Sequence, residues 1–597
     1  MTIPAIMAAQ DFSGDLGGHF TWIDWTVVFA YLAIATVLGA VLAGRQKSIK
    51  DFFLGGRKLP WYAVAGSSIA TEISAITFVS VPFIVFQPGG NFTYLQLGLV
   101  GGLLARLVVA YVLVPAYFQR EIYSPYDYMG HQLGPRVKSM TTALFTLGGI
   151  LAQSARVYLT ALILALVLHG PLGTLEAATG IPALVSAILI IGVVSIGWTL
   201  LGGMATVIWT DLILFGVFVV GALTALGVLI HELDTSPASV LGAGWDAGKF
   251  ELWNFTFDPT LEFTIWTAAI AATWANVGAF GTDQLMTQRL FCCRNARDAR
   301  RAVIASYFGL GITVLVSLVG VGLWYYYQQV PLQGEALAAF ERRGDSIFPI
   351  FILTVIPTGL TGLIVAGIFA AAISSLDSIL AALSQTTVSA FYLPRRNRRH
   401  KKPSAREERH RVRVSRAAVV FWGVVLCALA IAMDRVADDF DHLLGLALGM
   451  AGFVSGGLMA GFFLGFFSRR LNIDGGGFLF AAPLGVLTVL AVTPFNRYGL
   501  VVDTCLVGAL AVLISWLAVH RQNLLALRGA LQTLLLLGAC ALVVWLAHNA
   551  YFQGPVDPGT GEPSRRTLAW PWFAPVGSTV TFFLGWLLAG KRNHVKR

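Results

Sequence analysis

The sequence predicts an all-α, polytopic membrane protein. Of its 597 residues, 56% are hydrophobic and only 12% are charged. The mean hydropathy of +0.72 lies far outside the composition of a soluble globular chain. The 63 glycines and 16 tryptophans fit this class, because membrane helices tolerate glycine at close contacts and place aromatic rings at the interfaces. We therefore expect the bilayer to be the solvent of this chain.

About fifteen apolar stretches come close to the roughly 20 residues that a helix needs to cross the hydrocarbon core. In chain order, the predicted spans are 22–44, 60–86, 93–119, 138–169, 180–201, 207–231, 263–281, 302–328, 347–390, 416–433, 440–468, 476–493, 500–519, 529–549 and 571–590.

Lysine and arginine collect in alternate loops, and such loops stay in the cytoplasm. The basic set comprises Arg45 to Lys58, Arg289 to Arg301, Arg395 to Arg416, Arg469 with Arg470, and Lys591 to Arg597. The opposite set is acidic and comprises Glu232, Asp234, Asp246, Glu251, Asp258, Glu262, Asp434, Asp438, Asp439 and Asp441. For an odd number of spans, this pattern predicts an external N-terminal tail over 1–21 and a cytoplasmic tail over 591–597.

Motifs of soluble chemistry are missing from the sequence. It contains no CxxC, HExxH, Walker-type or GxSxG pattern, so nothing indicates hydrolysis, ATP use or a metal cofactor. Its five cysteines form neither a disulfide framework nor a metal-ligand spacing. The net charge of +10 resides in short segments between apolar runs, which favours membrane topology over a nucleic-acid partner. We expect no enzymatic activity and no organic cofactor.

Four ionisable residues lie well inside apolar spans: Glu72, Arg106, Arg156 and Asp377. A charged side chain at this depth costs at least about 2.5 to 3.5 kcal/mol, so it persists where it faces a pathway or a partner. Four such groups in one bundle indicate a polar cavity. The structural alternative is a pair of helix-fastening ion pairs, Glu72 with Arg106 and Asp377 with Arg156.

Two hydroxyl-rich stretches interrupt the apolar pattern. The second span holds Gly66-Ser-Ser-Ile-Ala-Thr-Glu-Ile-Ser-Ala-Ile-Thr-Phe78, which can unwind and free backbone carbonyls inside the membrane. The ninth span places Ala371, Ser374, Ser375 and Ser378 on one helical face, with Asp377 at its edge. Such all-oxygen ligands suit a hard cation. The alternative is that these serines only let two helices approach closely.

Several ordered motifs accompany these stretches. They are Asp51-Phe-Phe-Leu-Gly-Gly-Arg57, Tyr123-Ser-Pro-Tyr-Asp-Tyr128, Gly202-Gly203 followed by Trp209-Thr-Asp211, Gly281-Thr-Asp-Gln284 with Gln288-Arg289, and Pro357-Thr-Gly-Leu-Thr-Gly362. In this order, over roughly 22–520, the chain resembles the sodium:solute symporter family. The relatives of this family carry sugars, proline, sialic acid or monocarboxylates with sodium.

The resemblance implies a leucine-transporter-type fold with ten core helices in two inverted five-helix repeats. By this resemblance, 22–44 is an extra leading helix, 60–231 is the first repeat and 263–468 is the second. The helices of 476–590 would then be peripheral and C-terminal to the core.

The resemblance also implies sodium ligands. The family's common sodium site falls on the backbone carbonyls of Ala70, Ile73 and Ala371 and on the hydroxyls of Ser374 and Ser375. A second sodium site, found in some members, would use Asp211, Ser374, Asp377 and Ser378. Relatives place a hydroxyl where Asp377 stands. The carboxylate leaves three outcomes open, namely tighter sodium binding, a proton carrier or no binding.

The candidate solute site comprises Glu72, Ser74, Thr77, Arg156 and Asn276. A sugar is disfavoured, because Asn276 is followed by Val277, Gly278 and Ala279 where sugar-transporting members have an aromatic gate. Glu72 resembles the acidic residue of the proline carriers. Arg156 stands where the sialic acid carriers place an arginine for the substrate carboxylate, a task that suits a planar guanidinium fork.

These features together predict a sodium-coupled symporter that imports a small carboxylate or amino acid by alternating access, with Na+ as coupling ion. A proton-coupled symporter of the same fold, with Glu72 or Asp377 as the carrier, is the first alternative. A membrane sensor that binds solute without moving it, and a passive channel, are the others.

Overall fold

The computed structural model describes residues 20–43, 48–119, 124–233, 235–392, 405–435, 443–493, 500–523, 526–550, 552–556 and 563–591. Several predicted features lie outside these residues. They are most of the N-terminal tail, the tail beyond Lys591, the first part of the basic block at 395–404, Arg45, Asp234, Asp438, Asp439 and Asp441.

The first part of the chain forms ten α-helices. They are α1 (Trp22–Ala43), α2 (Ile49–Leu54), α3 (Trp61–Glu72), α4 (Ala75–Phe86), α5 (Leu103–Val108), α6 (Val114–Phe118), α7 (Pro125–Leu133), α8 (Pro135–Val167), α9 (His169–Thr179) and α10 (Ala183–Glu232). The π-helical segments Leu97–Gly102 and Val109–Leu113 join α5 and α6 into one long rod.

The remaining described helices follow in two groups. The first group is α11 (Pro237–Asp246), α12 (Thr273–Gly281), α13 (Gln284–Phe291), α14 (Ala296–Ala305), α15 (Leu310–Gln329), α16 (Gly334–Arg342), α17 (Ile347–Thr354) and α18 (Leu360–Thr387). The second group is α19 (Ala405–Ala432), α20 (Leu443–Leu471), α21 (Phe478–Ala491), α22 (Leu500–His520), α23 (Leu527–Asn549) and α24 (Phe573–Leu587). A short antiparallel hairpin, β1 (Phe552–Val556) with β2 (Pro563–Arg566), separates the last two helices.

Within the described residues, 11 helices are long and apolar enough to cross a membrane, or 12 when the bent pair α3 and α4 counts as one span. Every predicted span is helical, but three are shorter than a full crossing. The predicted 263–281 begins with the π-helical Thr267–Ala272, while 476–493 and 571–590 shrink to α21 and α24. The predicted 347–390 divides in two because Gly359 adopts φ +87° just before α18.

The second span is broken, as its hydroxyl-rich sequence predicts. Helix α3 ends at Glu72, Ile73 and Ser74 are extended, and α4 continues at an angle of 56° to α3. The last backbone carbonyls of α3 therefore lack the amide donors that another helical turn would supply. Such a break is stable inside a membrane only where it lines a cavity or holds an ion.

Helix α18 forms the centre of the bundle. Its membrane span is 94% buried, whereas the spans of α1, α22 and α23 are no more than 28% buried. The apolar outer surfaces of these three helices are therefore exposed, as expected of helices that face lipid. Helix α1 is also fastened to α18, because Asp24 accepts hydrogen bonds from the amides of Gly359 and Gly362 at 2.7 and 2.8 Å. This carboxylate lies at the positive end of the α18 dipole, where it is favourable.

A buried lysine caps the far end of the broken helix. Lys249, on the loop after α11, donates to the carbonyls of Val85, Phe86 and Gln87 at 2.8, 3.3 and 2.9 Å. Its ammonium also lies 5.3 Å from the centre of the Trp324 ring. A cation at the C-terminal end of a helix interacts favourably with the helix dipole. This loop therefore holds α4 in place.

We expect Lys249 to make stability depend on alkaline pH. The cost of burying the ammonium outweighs these favourable contacts and lowers the pKa of Lys249 to about 8, whereas an unfolded lysine titrates near 10.4. Between about pH 10.4 and pH 8, the unfolded lysine is protonated while the buried amine is neutral. The free energy of unfolding therefore falls as pH falls through this range, and the loss is complete below about pH 8. In detergent, the melting temperature of wild type minus that of Lys249→Met should rise from pH 7 to pH 10. The exposed Lys50→Met serves as the control, and a flat difference for Lys249→Met would contradict the prediction.

Candidate functional site

The predicted sodium ligands lie where α3 meets α18. Helix α3, which carries Ala70, contacts α18, which carries Ala371, Ser374 and Ser375. Ile73 is the first residue of the break and has extended backbone angles. The two serines are buried in the bundle. The fold thus brings two hydroxyls and a broken helix end to one region, and the assignment of individual ligands stays a prediction.

The predicted second cation site is a connected polar cluster. The hydroxyl of Ser374 donates to the carboxylate of Asp211, and that of Ser378 donates to Asp377 at 3.2 Å. Ser67 of α3 donates to the other oxygen of Asp211 at 2.5 Å. The four predicted members, Asp211, Ser374, Asp377 and Ser378, therefore form two hydrogen-bonded pairs, and the pair with Asp211 also reaches α3.

Arg289 joins the two halves of this cluster, a role that its position in the sequence did not predict. Its guanidinium lies 3.0 Å from the Asp211 carboxylate and donates to Ser67 at 2.8 Å and to Ser378 at 2.5 Å. The assignment of Arg289 to a basic loop was wrong, because the side chain is completely buried on α13. All eight residues of this helix are buried. Its polar run Gln284 to Arg289 was the available signal.

Asp377 is buried and only half satisfied. One carboxylate oxygen accepts from Ser378, and the other has no hydrogen-bond partner among the described residues. The predicted alternative pair of Asp377 with Arg156 was wrong, because Arg156 donates to the carbonyl of Thr71 at 3.3 Å instead. The cluster therefore holds two carboxylates, Asp211 and Asp377, against one guanidinium.

All five predicted solute residues line one cavity of about 290 Å³. They are Glu72, Ser74, Thr77, Arg156 and Asn276. Asn276 donates its amide group to the carbonyl of Ala272 in its own helix at 2.8 Å. The cavity adjoins the break between α3 and α4, because Thr71, Glu72, Ile73 and Ser74 all line it.

The predicted pair of Glu72 with Arg106 is confirmed. Arg106 approaches the Glu72 carboxylate to 2.5 Å and donates to the hydroxyl of Ser306 at 3.0 Å. Its guanidinium also lies 4.3 Å from the centre of the Phe280 ring. The pair has a structural function and lines the cavity as well, so the two interpretations of these residues do not exclude each other.

Two further cavity residues were missed as solute-site candidates. Asp283 lies in the quoted Gly281-Thr-Asp-Gln284 motif and caps α13 by accepting from the Leu285 amide at 2.7 Å. Trp570 comes from the short helical turn before α24. Both line the cavity. No sequence pattern around Trp570 indicates that it contacts the core helices.

Comparisons with known proteins agree with this geometry. The model of the Sodium:solute symporter family matches residues 52–480. The Sodium/sialic acid symporter SiaT of Proteus mirabilis is 29% identical over 493 residues, which cover 80% of this chain and 90% of that relative. Sodium-coupled monocarboxylate transporter 1 of Mus musculus is 27% identical over 491 residues, covering 81% of this chain and 73% of that relative.

A solved structure supports the same fold. The substrate-bound, outward-open structure of a Na+-coupled sialic acid symporter aligns with a TM-score of 0.69 at 24% identity, covering 96% of this chain and 99% of that chain. The predicted leucine-transporter-type fold is thereby confirmed, and sodium is the coupling ion of the relatives. From its fold, its polar helix break and these matches, the chain belongs to the sodium:solute symporter family and is a sodium-coupled solute symporter.

Proposed function

We propose that the protein imports a small organic carboxylate or amino acid together with sodium, by alternating access around the cavity at the helix break. The single observation that carries this proposal is the position of Arg156 in the cavity wall. Among the described residues, no carboxylate lies within ion-pair distance of it. Its guanidinium fork therefore has capacity for a carboxylate.

The neighbouring charges support an anionic group at this position. Glu72 is already neutralised by Arg106, so it does not repel a negative solute as a free carboxylate would. The sialic acid and monocarboxylate carried by the relatives both contain a carboxylate, which agrees with the same chemistry. Asp283, on the same cavity wall, supplies a carboxylate that can pair with the ammonium of an amino acid.

We further propose that sodium binds at the meeting point of α3 and α18, through Ala70, Ile73, Ala371, Ser374 and Ser375. A second cation would bind beside Asp211, Ser374, Asp377 and Ser378. The charge of this cluster supports the second site, because two buried carboxylates face one guanidinium and one oxygen of Asp377 has no partner within the described part of the chain. A buried charge without compensation is costly, and a bound cation removes that cost.

The orientation and the absence of catalysis belong to the same proposal. The basic loops would face the cytoplasm, which puts the N-terminus outside and the C-terminus inside. Sodium entry supplies enough free energy to concentrate a solute. A charge crossing 100 mV yields about 2.3 kcal/mol, and a tenfold sodium gradient adds about 1.4 kcal/mol. Import requires no covalent chemistry from any side chain.

We expect Arg156→Ala to weaken uptake of carboxylate solutes strongly. A charge-assisted hydrogen bond contributes about 1.5 to 3 kcal/mol, so KM should rise about 10- to 150-fold at constant sodium. The measurement is sodium-driven uptake of sialic acid, pyruvate and proline into proteoliposomes.

Arg156→Lys is the matched control, because it keeps the charge and removes the planar fork. Its KM should lie between those of wild type and Arg156→Ala. If Arg156→Ala leaves uptake of every carboxylate solute unchanged, the proposed role of Arg156 fails.

A further inference from the structure

We propose that the C-terminal segment Trp570–Ala574 forms part of the wall of the solute cavity, and that Trp570 determines which solutes the cavity holds. The inference rests on the proposed function, which assigns this cavity to the solute. It concerns residues well beyond 480, where the match to the family model ends. This segment would thus add a specificity element to the core fold.

The lining of the cavity carries the first step. Trp570, Pro571 and Ala574 border the same space as Arg156 and Asn276. Trp570 packs against the small apolar cluster of Leu97, Ala268 and Ala272. Leu97 and Ala272 also line the cavity. Trp570 therefore packs within the wall of the cavity.

The segment is held in place on both sides. The amide of Ala569 donates to the carbonyl of Pro259 at 3.0 Å, just before Trp570. On α24, Ser578 accepts from the indole of Trp274 at 2.6 Å. A Cβ at Gly456 would lie only 2.6 Å from the carbonyl of Ala574, so only glycine allows this close packing of α20 on α24. These contacts fix the ring of Trp570 relative to the core.

The indole of Trp570 has an unused donor. Its N–H group is buried and has no acceptor among the described residues. An unsatisfied buried donor costs about 1 to 3 kcal/mol, so such groups are uncommon unless a ligand or water completes them. The indole N–H of Trp572 is also buried and finds no acceptor within the ranges that the structure describes, but Trp572 does not line the cavity. Trp572 is therefore a matched control two residues away.

The arrangement indicates a class of solute. Arg156 lies beside the helix break at Thr71, whereas Trp570 packs beside Leu97, so the two groups touch different parts of the wall. A solute that uses both needs a carboxylate at one end and a body with apolar surface and an acceptor at the other. The cavity thus suits an organic anion with a ring or carbon skeleton better than a small inorganic anion such as iodide.

Cysteine labelling tests the position of Trp570 without any transported solute. Trp570→Cys and Trp572→Cys are exposed in proteoliposomes to the membrane-impermeant anion 2-sulfonatoethyl methanethiosulfonate. We expect labelling at 570 to be at least tenfold faster than at 572. The five native cysteines are buried, so the wild type gives the background rate. Equal rates at the two positions would overturn the inference.

Uptake kinetics provide a second, independent test. For sialic acid, Trp570→Ala should raise KM at least fivefold, while Trp572→Ala stays within twofold of wild type. The KM of pyruvate, a three-carbon anion without a ring, should change less in Trp570→Ala. Trp570→Phe, which keeps a ring and removes the donor, should raise the KM of sialic acid. An unchanged KM in Trp570→Ala, with uptake lost in Arg156→Ala, overturns this inference and leaves the proposed function intact. Unchanged uptake in Arg156→Ala rejects the proposed function, whatever the labelling result.

Discussion

Replacing Ser374 and Ser375 together by alanine should abolish the stabilisation of the purified protein by sodium. Both hydroxyls are buried on α18, beside the helix that ends at the break. A ligand that binds only the folded state stabilises it by about 2.7 kcal/mol at 100 times its Kd. The measurement is the melting temperature in detergent, titrated with sodium against potassium and choline. Sodium-driven uptake should fall at least 100-fold in the same variant.

Ser384→Ala is the matched control for this experiment. Ser384 is buried on the same helix, and its hydroxyl donates to the carbonyl of Ser415 at 2.7 Å, away from the site. Its sodium titration should match that of wild type. Single variants separate the two proposed sites, because Ser375 belongs only to the first and Ser378 only to the second. A full sodium-specific shift in the double variant would reject the first site.

Removing Arg289 should be among the most destabilising single changes in the bundle. Arg289→Gln leaves Asp211 and Asp377 without their counter-charge. Both carboxylates have zero exposure, so water cannot replace the guanidinium. Breaking a buried ion pair from one side costs about 3–5 kcal/mol. We expect a large fall in melting temperature in sodium-free buffer. Added sodium should recover part of the loss, because a second cation then takes the place of the guanidinium.

The double variant Arg289→Gln/Asp211→Asn distinguishes an ion pair from packing. When both partners are neutral, the cost should be clearly smaller than the sum of the two single changes. Arg289→Lys keeps the charge but loses the three-way fork to Ser67, Asp211 and Ser378. Its stability should lie between those of wild type and Arg289→Gln. Additive losses in the double variant would contradict a direct electrostatic role.

The features that sequence predicted best are those with a local cause. The break after Glu72 follows from a small, hydroxyl-rich stretch whose backbone can leave the helix, and the structure places it inside that stretch. The contact of Glu72 with Arg106 follows from the high cost of two charges in neighbouring apolar spans. In both cases, the physical requirement is visible within a short window of sequence.

Features that depend on distant partners were missed or misread. Arg289 adjoins a basic loop, so its charge was assigned to topology. Its actual partner Asp211 lies 78 residues away along the chain. Trp570 sits in an aromatic Trp-Pro-Trp sequence that resembles an interfacial belt, and only the packing of α24 on α20 brings it to the cavity. Such pairings become visible only once the helices are assembled.

Hydropathy also overestimated the length of some spans. It measures how apolar a stretch is, and it does not report where a helix begins. Gly359 and Pro357 separate α17 from α18, although both flanking sequences are strongly apolar. The predicted boundaries of the two repeats, 60–231 and 263–468, remain predictions for the same reason.

Two of the short helices lie side by side, and this has a consequence for the surrounding lipid. Helices α21 and α24 have 14 and 15 residues, or about 21 and 22 Å of rise. A Cβ at Gly485 would lie 2.0 Å from the Thr581 hydroxyl, so the two helices are in close contact. A typical hydrocarbon layer is about 30 Å thick. No residue of α21 is exposed, so the short pair meets lipid through α24 alone, and the bilayer has to adapt only beside its exposed Phe583, Trp586 and Leu587.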